Sequence, residues 1–340
     1  MNTLPRIGID IGSTSIKLVE LAPAGKDKWK LMTAASMPSL AGGVMANQNN
    51  LSGFVQAIAK MKKEAGVKSS RIIAALPEEQ VSSHIVELPL MSDDEVKQAL
   101  AWQVEQYIPI PADRAVWSYQ VIRKDPNSGG MEVLLVAAAK NLVNAYITIL
   151  EQSGFEVLAM ETELMATARS EVPVEYPLSL IVDIGSKSTD VGVVERGQLV
   201  FARTIPTAGE AFTRAIQTTL GLDATQAEQY KMAYGFDSAK LGGKLAEAMK
   251  PVLNVISAEI KKTGDFYTSK HTGEGVKLVT ISGGVSVLPE MVGVLSGMLG
   301  MEVSIGNPFQ KLIMDKSQET ALASGGPIYG VAIGLAMRDI

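Results

Sequence analysis

Short apolar runs alternate with stretches whose apolar positions recur every three to four residues, and the alternation continues along the whole chain. The first pattern suits buried strands and the second amphipathic helices, which together predict an α/β class. In the first unit, strands are predicted at 6–11, about 16–22 and 28–38, a helix over 50–67 and a buried strand over 71–77. Phe54, Ile58 and Met61 form the apolar stripe of that helix, and Gly66 suits its end.

Residues 80–162 read as strand, helix, strand, strand, helix, strand. Ser92 and Glu95 have capping-box spacing at the start of the first helix, whose stripe is Val96, Leu100 and Val104. The runs 115–124 and 131–140 flank DPNSGG, which is turn chemistry, and so pair as a hairpin. A helix over 141–154 and a strand over 155–163 complete the set. These six elements can close a small core of their own, which predicts an inserted α+β subdomain over 80–162.

From 178 the pattern of the first unit begins again. A strand pair runs through 180–194 and a third strand through 198–204. Helices are predicted at 208–219, 224–234 and 239–262, then a strand at 277–281 and a closing helix in PIYGVAIGLAMRD, 327–339. The restart carries an identity: Asp-Ile-Gly-Ser stands at 10–13 and again at 183–186, each time with an apolar run before it and a strand after it. Matched flanks half a chain apart point to two related halves.

The chemistry of the repeat is that of a phosphate cradle. Gly12 and Gly185 let the backbone approach a ligand without a Cβ in the way. Successive turn N–H groups, with Ser13, Thr14 and Ser15 in one half and Ser186, Ser188 and Thr189 in the other, supply donors to phosphate oxygens. Asp10 and Asp183 would repel phosphate unless a divalent cation sat between them. Mg²⁺ suits that place, because it keeps several waters and takes one or two carboxylates with phosphate oxygens. The pattern predicts two hairpins from two halves closing on one nucleotide–magnesium ligand.

Composition narrows the alternatives. At 340 residues, two or three units are expected, and 46% hydrophobic residues suffice for large cores. The net charge of −5 argues against nucleic-acid binding. There is no cysteine, which removes disulfides and thiolate chemistry, and the two histidines, His84 and His271, lie in no recognisable motif. The apolar stretch 278–303 contains Pro289, Glu290 and several glycines, so it reads as strand, turn and helix rather than a membrane span. The N-terminus lacks a signal-peptide pattern, and the expected location is cytoplasmic.

The motifs resemble the actin/Hsp70/sugar-kinase ATPase superfamily. Asp10-Ile-Gly-Ser-Thr-Ser-Ile-Lys17 is similar to its first phosphate motif and Asp183-Ile-Gly-Ser-Lys-Ser-Thr-Asp190 to its second. Ser282, Gly283 and Gly284 followed by Pro289 resemble its adenosine motif, and AEQYKMAYG, 227–235, resembles the helix whose Glu and Lys face ribose and base, here Glu228 and Lys231. ETELMATA, 161–168, sits where a connecting helix would place an acid near an attacking water, giving Glu161 and Glu163 as catalytic candidates. The block inserted at 80–162 is similar to the FtsA branch and, more closely, to the PilM family of type IV pilus assembly, as are VEQYIPIPADRAVWSYQVI and GVAIGLAMRD.

The resemblance implies an actin-like, ribonuclease H-like two-domain fold. Domain 1 would comprise 1–79, 163–176 and 326–340, with the FtsA-type subdomain at 80–162. Domain 2 would comprise 177–325, with a nucleotide-contacting helical part at about 208–275. It implies ATP and Mg²⁺ as cofactors. Lys17 would meet the β- and γ-phosphates, Asp10 and Asp183 would hold Mg²⁺ through water, and Gly209 would join the nucleotide contacts. Lys187 stands where many members carry a small residue or an acid; it could reach phosphate or crowd the turn. No strong base is evident, so binding without turnover stands beside slow hydrolysis. The implied role is a cytoplasmic platform that grips the N-terminal cytoplasmic peptide of the membrane protein PilN and so lies at the inner membrane. PilO and the pilus motor ATPases are further expected partners, and self-association stays open. A small-molecule kinase and an FtsA- or actin-like filament-forming tether are the alternatives. AMRDI directly after the closing helix predicts no membrane anchor of its own.

Overall fold

A computed structural model of the chain describes residues 5–127, 129–271, 275–322 and 325–339. The start of the N-terminal reading (1–4), Ser128 of the hairpin turn, 272–274 of the helical part, 323–324 near the end of domain 2, and Ile340 lie outside the described residues.

The first half is built from β1 (Arg6–Ile11), β2 (Ser15–Pro23), β3 (Trp29–Pro38), α1 (Gly43–Ala46), α2 (Leu51–Glu64) and β4 (Arg71–Leu76). Then come β5 (Val81–Pro89), α3 (Asp93–Tyr107), β6 (Ala115–Asp125), β7 (Gly130–Ala139), α4 (Lys140–Gln152), β8 (Glu156–Thr162) and α5 (Glu163–Glu171). The second half has β9 (Leu178–Ile184), β10 (Thr189–Glu195), β11 (Gln198–Ile205), α6 (Gly209–Leu220), α7 (Ala224–Tyr234), α8 (Lys244–Lys270) and β12 (Leu278–Ser282). It closes with α9 (Met291–Leu299), β13 (Glu302–Ile305), β14 (Leu312–Ile313), α10 (Lys316–Leu322) and α11 (Gly330–Ala336).

Two sheets repeat one plan. The first runs β14-β3-β2-β1-β4-β8 and the second β11-β10-β9-β12-β13. In each, an antiparallel meander is followed by parallel strands: β4 beside β1 and β8 beside β4, β12 beside β9 and β13 beside β12. β1 and β9 are therefore central, bordered on both sides, which explains why their sequences are apolar almost throughout. Ile7, Ile9, Leu18, Phe54 and Ile58 form one core and Leu180, Val182, Phe212, Ile256 and Ile260 the other. At the seam α11 lies against α5 and β1. A Cβ at Gly334 would overlap the Ala166 carbonyl, and one at Gly8 the Ala332 carbonyl, so glycine permits both close crossings.

The block expected over 80–162 divides. β5, β7 and β6 form a third sheet, in that order, with α3 on it and a core of Val86, Val96, Leu100, Val104 and Val133. The capping box is formed: the Glu95 carboxylate accepts from the Ser92 N–H at 2.8 Å. α4 and β8, by contrast, belong to the first half. Leu142, Ala145, Tyr146 and Ile149 of α4 enter its core, and β8 pairs parallel with β4. An apolar stripe fits any sheet equally well, so spacing alone does not say which one covers it. The subdomain with its own core thus spans β5 to β7.

The helix expected over 239–262 runs instead from Lys244 to Lys270. Gly242 and Gly243 adopt left-handed φ of 62° and 77°, which holds its start back. Buried Ile260, Thr263 and Tyr267 carry it onward past 262. The closing helix is shorter than expected, beginning with a 3-10 turn at Gly326–Tyr329. The 278–303 stretch is strand, turn and helix, and among the described residues no helix is long and apolar enough to cross a membrane.

Candidate functional site: a cleft between two repeated hairpins

The two Asp-Ile-Gly-Ser segments form the same turn. Gly12 N–H donates to the Ser15 carbonyl at 3.1 Å, and Gly185 N–H to the Ser188 carbonyl at 3.0 Å. The turns face each other: the Ser13 and Ser186 hydroxyls, equivalent positions of the repeat, are 3.0 Å apart. Between them opens a cleft of about 510 Å³. Its wall includes Asp10, Gly12, Ser13, Thr14, Ser15 and Lys17 from the first hairpin, and Asp183, Gly185, Ser186, Lys187 and Ser188 from the second. Gly209, Glu228, Lys231, Gly283, Gly284 and Glu163 complete the predicted residues found there.

Local packing explains these positions. The Gly209 and Glu210 N–H groups, at the start of α6, donate to the Gly185 and Ser186 carbonyls at 3.0 and 2.8 Å, which pins the second turn. A Cβ at Gly209 would come within 3.1 Å of the Gly185 carbonyl. Gly283 has φ 81°, and a Cβ there would overlap the Asp183 carboxylate, so only glycine passes the hairpin at this point. Lys231 is buried rather than solvated. Its ammonium donates to Glu228 at 2.7 Å, to the Thr213 hydroxyl at 3.0 Å and to the Gly209 carbonyl at 3.1 Å.

Three predicted residues do not reach the cleft. Thr189, expected as a phosphate donor, is buried, and its hydroxyl donates instead to the Thr207 carbonyl at 2.8 Å. Ser282 is buried, and its hydroxyl donates to the Pro327 carbonyl at 3.4 Å. Glu161 faces the other side of the first sheet, where Arg169 grips both carboxylate oxygens at 2.6 and 2.9 Å and Arg338 approaches at 3.2 Å. The strand ends at Thr162 and the helix begins at Glu163, so the two acids leave the junction in different directions. Glu161 is therefore corrected from a catalytic candidate to an ion-paired residue outside the cleft.

The cleft is rich in acids. Asp10 lies opposite Lys17 in register and accepts from its ammonium at 3.0 Å. Burial alone would depress the Lys17 ammonium, but Asp10, with Asp183 and Glu163 further off, raises its pKa instead. Asp183 lies opposite Asp190. Desolvation, with the Asp190 charge beside it, pushes Asp183 up to about 7. Desolvation lifts Asp190 to about 6 against the hydroxyls of Thr204 and Ser188, at 2.6 and 3.3 Å. Glu163 is raised well above the carboxylate range by desolvation, then by Asp10 and Asp190, although it accepts from the Glu78 N–H at 3.0 Å. Glu78, buried behind it, is pushed to about 8 by desolvation and then by Asp190.

Such a site favours a cation together with a polyanion. The donor set fits phosphate: turn N–H groups, hydroxyls and Lys17. The carboxylates fit a hard divalent ion that keeps its waters. Among the described residues no three acids or histidines are placed to ligate one ion directly, so the ion would need waters and phosphate oxygens as its other ligands. Asp190, Glu78, Glu79 and Tyr146 join the site without having been expected as site residues. Asp190 had a signal, since it ends the second motif at the place Lys17 holds in the first. Glu78, Glu79 and Tyr146 are brought to the cleft or behind it by tertiary packing and had none.

A second cavity, of about 450 Å³, separates the inserted subdomain from the first half. Both its long walls are sheet edges, β6 and β8. Consecutive residues of each strand line it, Val116–Gln120 and Val157–Thr162, so backbone as well as side chains faces the space. Val143, Met160, Met165 and Trp117 make it apolar, and the ion-paired Glu161 and Arg338 also line it.

Duplicated sheets of this topology, with paired hairpins across one cleft, define the actin-like two-domain fold, and the inserted subdomain places it in the FtsA-like branch. The chain belongs to the family described as type IV pilus assembly protein PilM, whose model matches residues 8–340. It is 23% identical to the cell division protein FtsA of Pseudomonas aeruginosa, over 98% of this chain and 89% of that one. Among solved structures it is similar to the PilM-PilN type IV pilus biogenesis complex, with 24% identity, a TM-score of 0.83 and coverage of 99% and 98% of the two chains. It is similar also to MreB5 of Spiroplasma citri bound to ADP, at 12% identity, a TM-score of 0.54 and coverage of 98% and 95%.

Proposed function

We propose that this chain is a nucleotide-binding docking platform of type IV pilus assembly. Its cleft takes ATP with Mg²⁺, and its groove between β6 and β8 takes the N-terminal cytoplasmic peptide of a PilN-type membrane protein. Through that peptide it sits at the inner membrane, and it links the PilN–PilO complex to the cytoplasmic motor ATPases. The family supports the pilus role, and a related fold occurs in a complex with PilN.

The observation that carries the reading is the groove. Two sheet edges, β6 and β8, that carry no further strand among the described residues enclose an apolar channel and suit an extended peptide, whose main chain can pair with an edge while alternate side chains enter pockets. In the cleft, Lys17 and the two turns would hold phosphate oxygens, and Asp10 and Asp183 would hold the cation. Mg²⁺, when bound, would neutralise part of the triphosphate charge. Desolvation, then the charges of Asp10 and Asp190, raise the Glu163 pKa and disfavour its ionised form, which weakens it as a base, so the residues favour retention of the nucleotide over rapid turnover.

The test is a titration of the full chain with a synthetic PilN-type N-terminal peptide, followed by calorimetry. Trp117→Ala, which empties the groove wall, is expected to weaken binding by roughly tenfold or more, the scale of losing a buried aromatic anchor. An unchanged affinity would move the peptide elsewhere.

A further inference from the structure

The inserted subdomain touches the second half as well as the first. Ile85 of β5 and Ile122 of β6 pack against the second half's core. Ile122 stands at a register shift on β6, between Val121 and Arg123, and bulges of this kind re-aim neighbouring side chains. Arg123 reaches across the boundary, and its Nη2 donates to Glu195 Oε2 at 2.8 Å. The Tyr267 hydroxyl donates to the same oxygen at 2.9 Å. Glu132, opposite Arg123 in register, lies 3.1 Å from His271 Nε2, and the His271 ring stacks on Tyr267 with centroids 4.1 Å apart. Burial would raise the Glu195 carboxyl, but the hydrogen bonds from Tyr267 and Arg123 outweigh it and hold the pKa below the ordinary value.

The placement of this clasp connects the two cavities. Glu195 ends β10, the strand that begins at Thr189 beside the second phosphate turn, and lies about 17 Å from Asp190 along an extended strand. Arg123 lies on β6, three residues beyond Gln120 in the groove wall. The Ser13 and Ser186 hydroxyls hold the two turns together across the cleft in this structure. A phosphate group that takes the place of this contact changes the spacing of the turns, and β10 belongs to the second of the two hairpins.

We propose that the Arg123–Glu195 clasp, buttressed by Tyr267, His271 and Glu132, couples the cleft to the groove: nucleotide entry displaces β10, and the clasp passes the displacement to β6 and the peptide site. This rests on the function proposed above. The coupling is reciprocal, so peptide binding changes nucleotide affinity by the same factor.

The full chain is titrated with the PilN-type peptide with and without Mg²⁺ and a non-hydrolysable ATP analogue. Hydrogen exchange of 115–125 is followed on adding nucleotide alone. The wild type is expected to change peptide affinity by about fivefold or more on nucleotide binding, and to change exchange in β6 without peptide. Arg123→Met keeps the aliphatic stem but not the ion pair, and Glu195→Gln removes the opposing charge. Each is expected to bind either ligand alone as the wild type does, with the coupling factor near one and the β6 response lost. Tyr267→Phe, the mildest change, is expected to give an intermediate coupling and serves where Arg123→Met folds poorly. Full coupling in these variants, or β6 exchange blind to bound nucleotide in the wild type, overturns the proposal. A β6 response that is lost in Arg123→Met, in a chain that fails to bind the peptide, upholds the clasp and removes only the groove assignment.

Discussion

The hairpins at 10–17 and 183–190 share a backbone and differ in charge. Both run strand, glycine turn, strand, and their serines meet across the cleft at an offset of 173 residues. At that offset Lys17 corresponds to position 190, since 17 + 173 = 190, and 190 is Asp. One half therefore presents an acid neutralised by a lysine 3.0 Å away, the other a pair of acids opposite each other. The repeat gives both turns a like cradle of N–H groups and hydroxyls; differences at two positions, Thr14 against Lys187 and Lys17 against Asp190, make it electrostatically asymmetric. The Lys17 side would suit phosphate, and the facing acids Asp183 and Asp190 concentrate negative charge that a divalent cation would relieve.

The comparison breaks most severely in a pH effect from the second hairpin. Asp183, Asp190 and Glu78 ionise near 7, 6 and 8 in the folded chain, above their ordinary values of 3.8, 3.8 and 4.5. The folded state then holds more protons than the unfolded one between about pH 4 and 8, so stability falls as pH rises through that window. The nucleotide-free chain is expected to be less stable at pH 8 than at pH 5.5, by on the order of 5 kcal/mol, which thermal unfolding reads as a lower midpoint at pH 8. Asp190→Asn removes one of the facing charges and is expected to flatten the fall. A slope unchanged in that variant would separate the two acids energetically.

Next in size is the effect at Lys17. Lys17→Met strands Asp10 among carboxylates and removes one of the cations that line the cleft. A hydrogen bond to a charged group is worth about 1.5–3 kcal/mol, so ATP affinity measured by calorimetry is expected to fall by roughly 10- to 100-fold. Full retention would show that the pair is only structural.

The smallest effect is at the symmetric point. Ser13→Ala or Ser186→Ala removes one neutral hydrogen bond, worth about 1 kcal/mol. The double variant is expected to lose no more than either single one, because the two serines share the bond.

Much of this was legible from residues. The alternation of patterns located nearly all elements, the capping box at Ser92 formed as its spacing implied, and the Asp-Ile-Gly-Ser repeat led to two turns that do face each other. What stayed hidden depended on long-range pairing. The stripe of α4 looks the same whether it covers the subdomain or the first sheet, and only the β4–β8 pairing decides. Glu161 and Glu163 look equivalent in sequence, yet a strand-to-helix junction sends one to Arg169 and the other to the cleft. The clasp joins residues 139 and 144 positions apart, none of them in a motif.

The most direct measurement is a crystal structure of the chain with Mg²⁺ and a non-hydrolysable ATP analogue. The triphosphate is expected between residues 12–15 and 185–188, with Lys17 on phosphate and the cation within one water of Asp10 and Asp183. A nucleotide seated against one hairpin alone, or outside the cleft, would contradict the shared site.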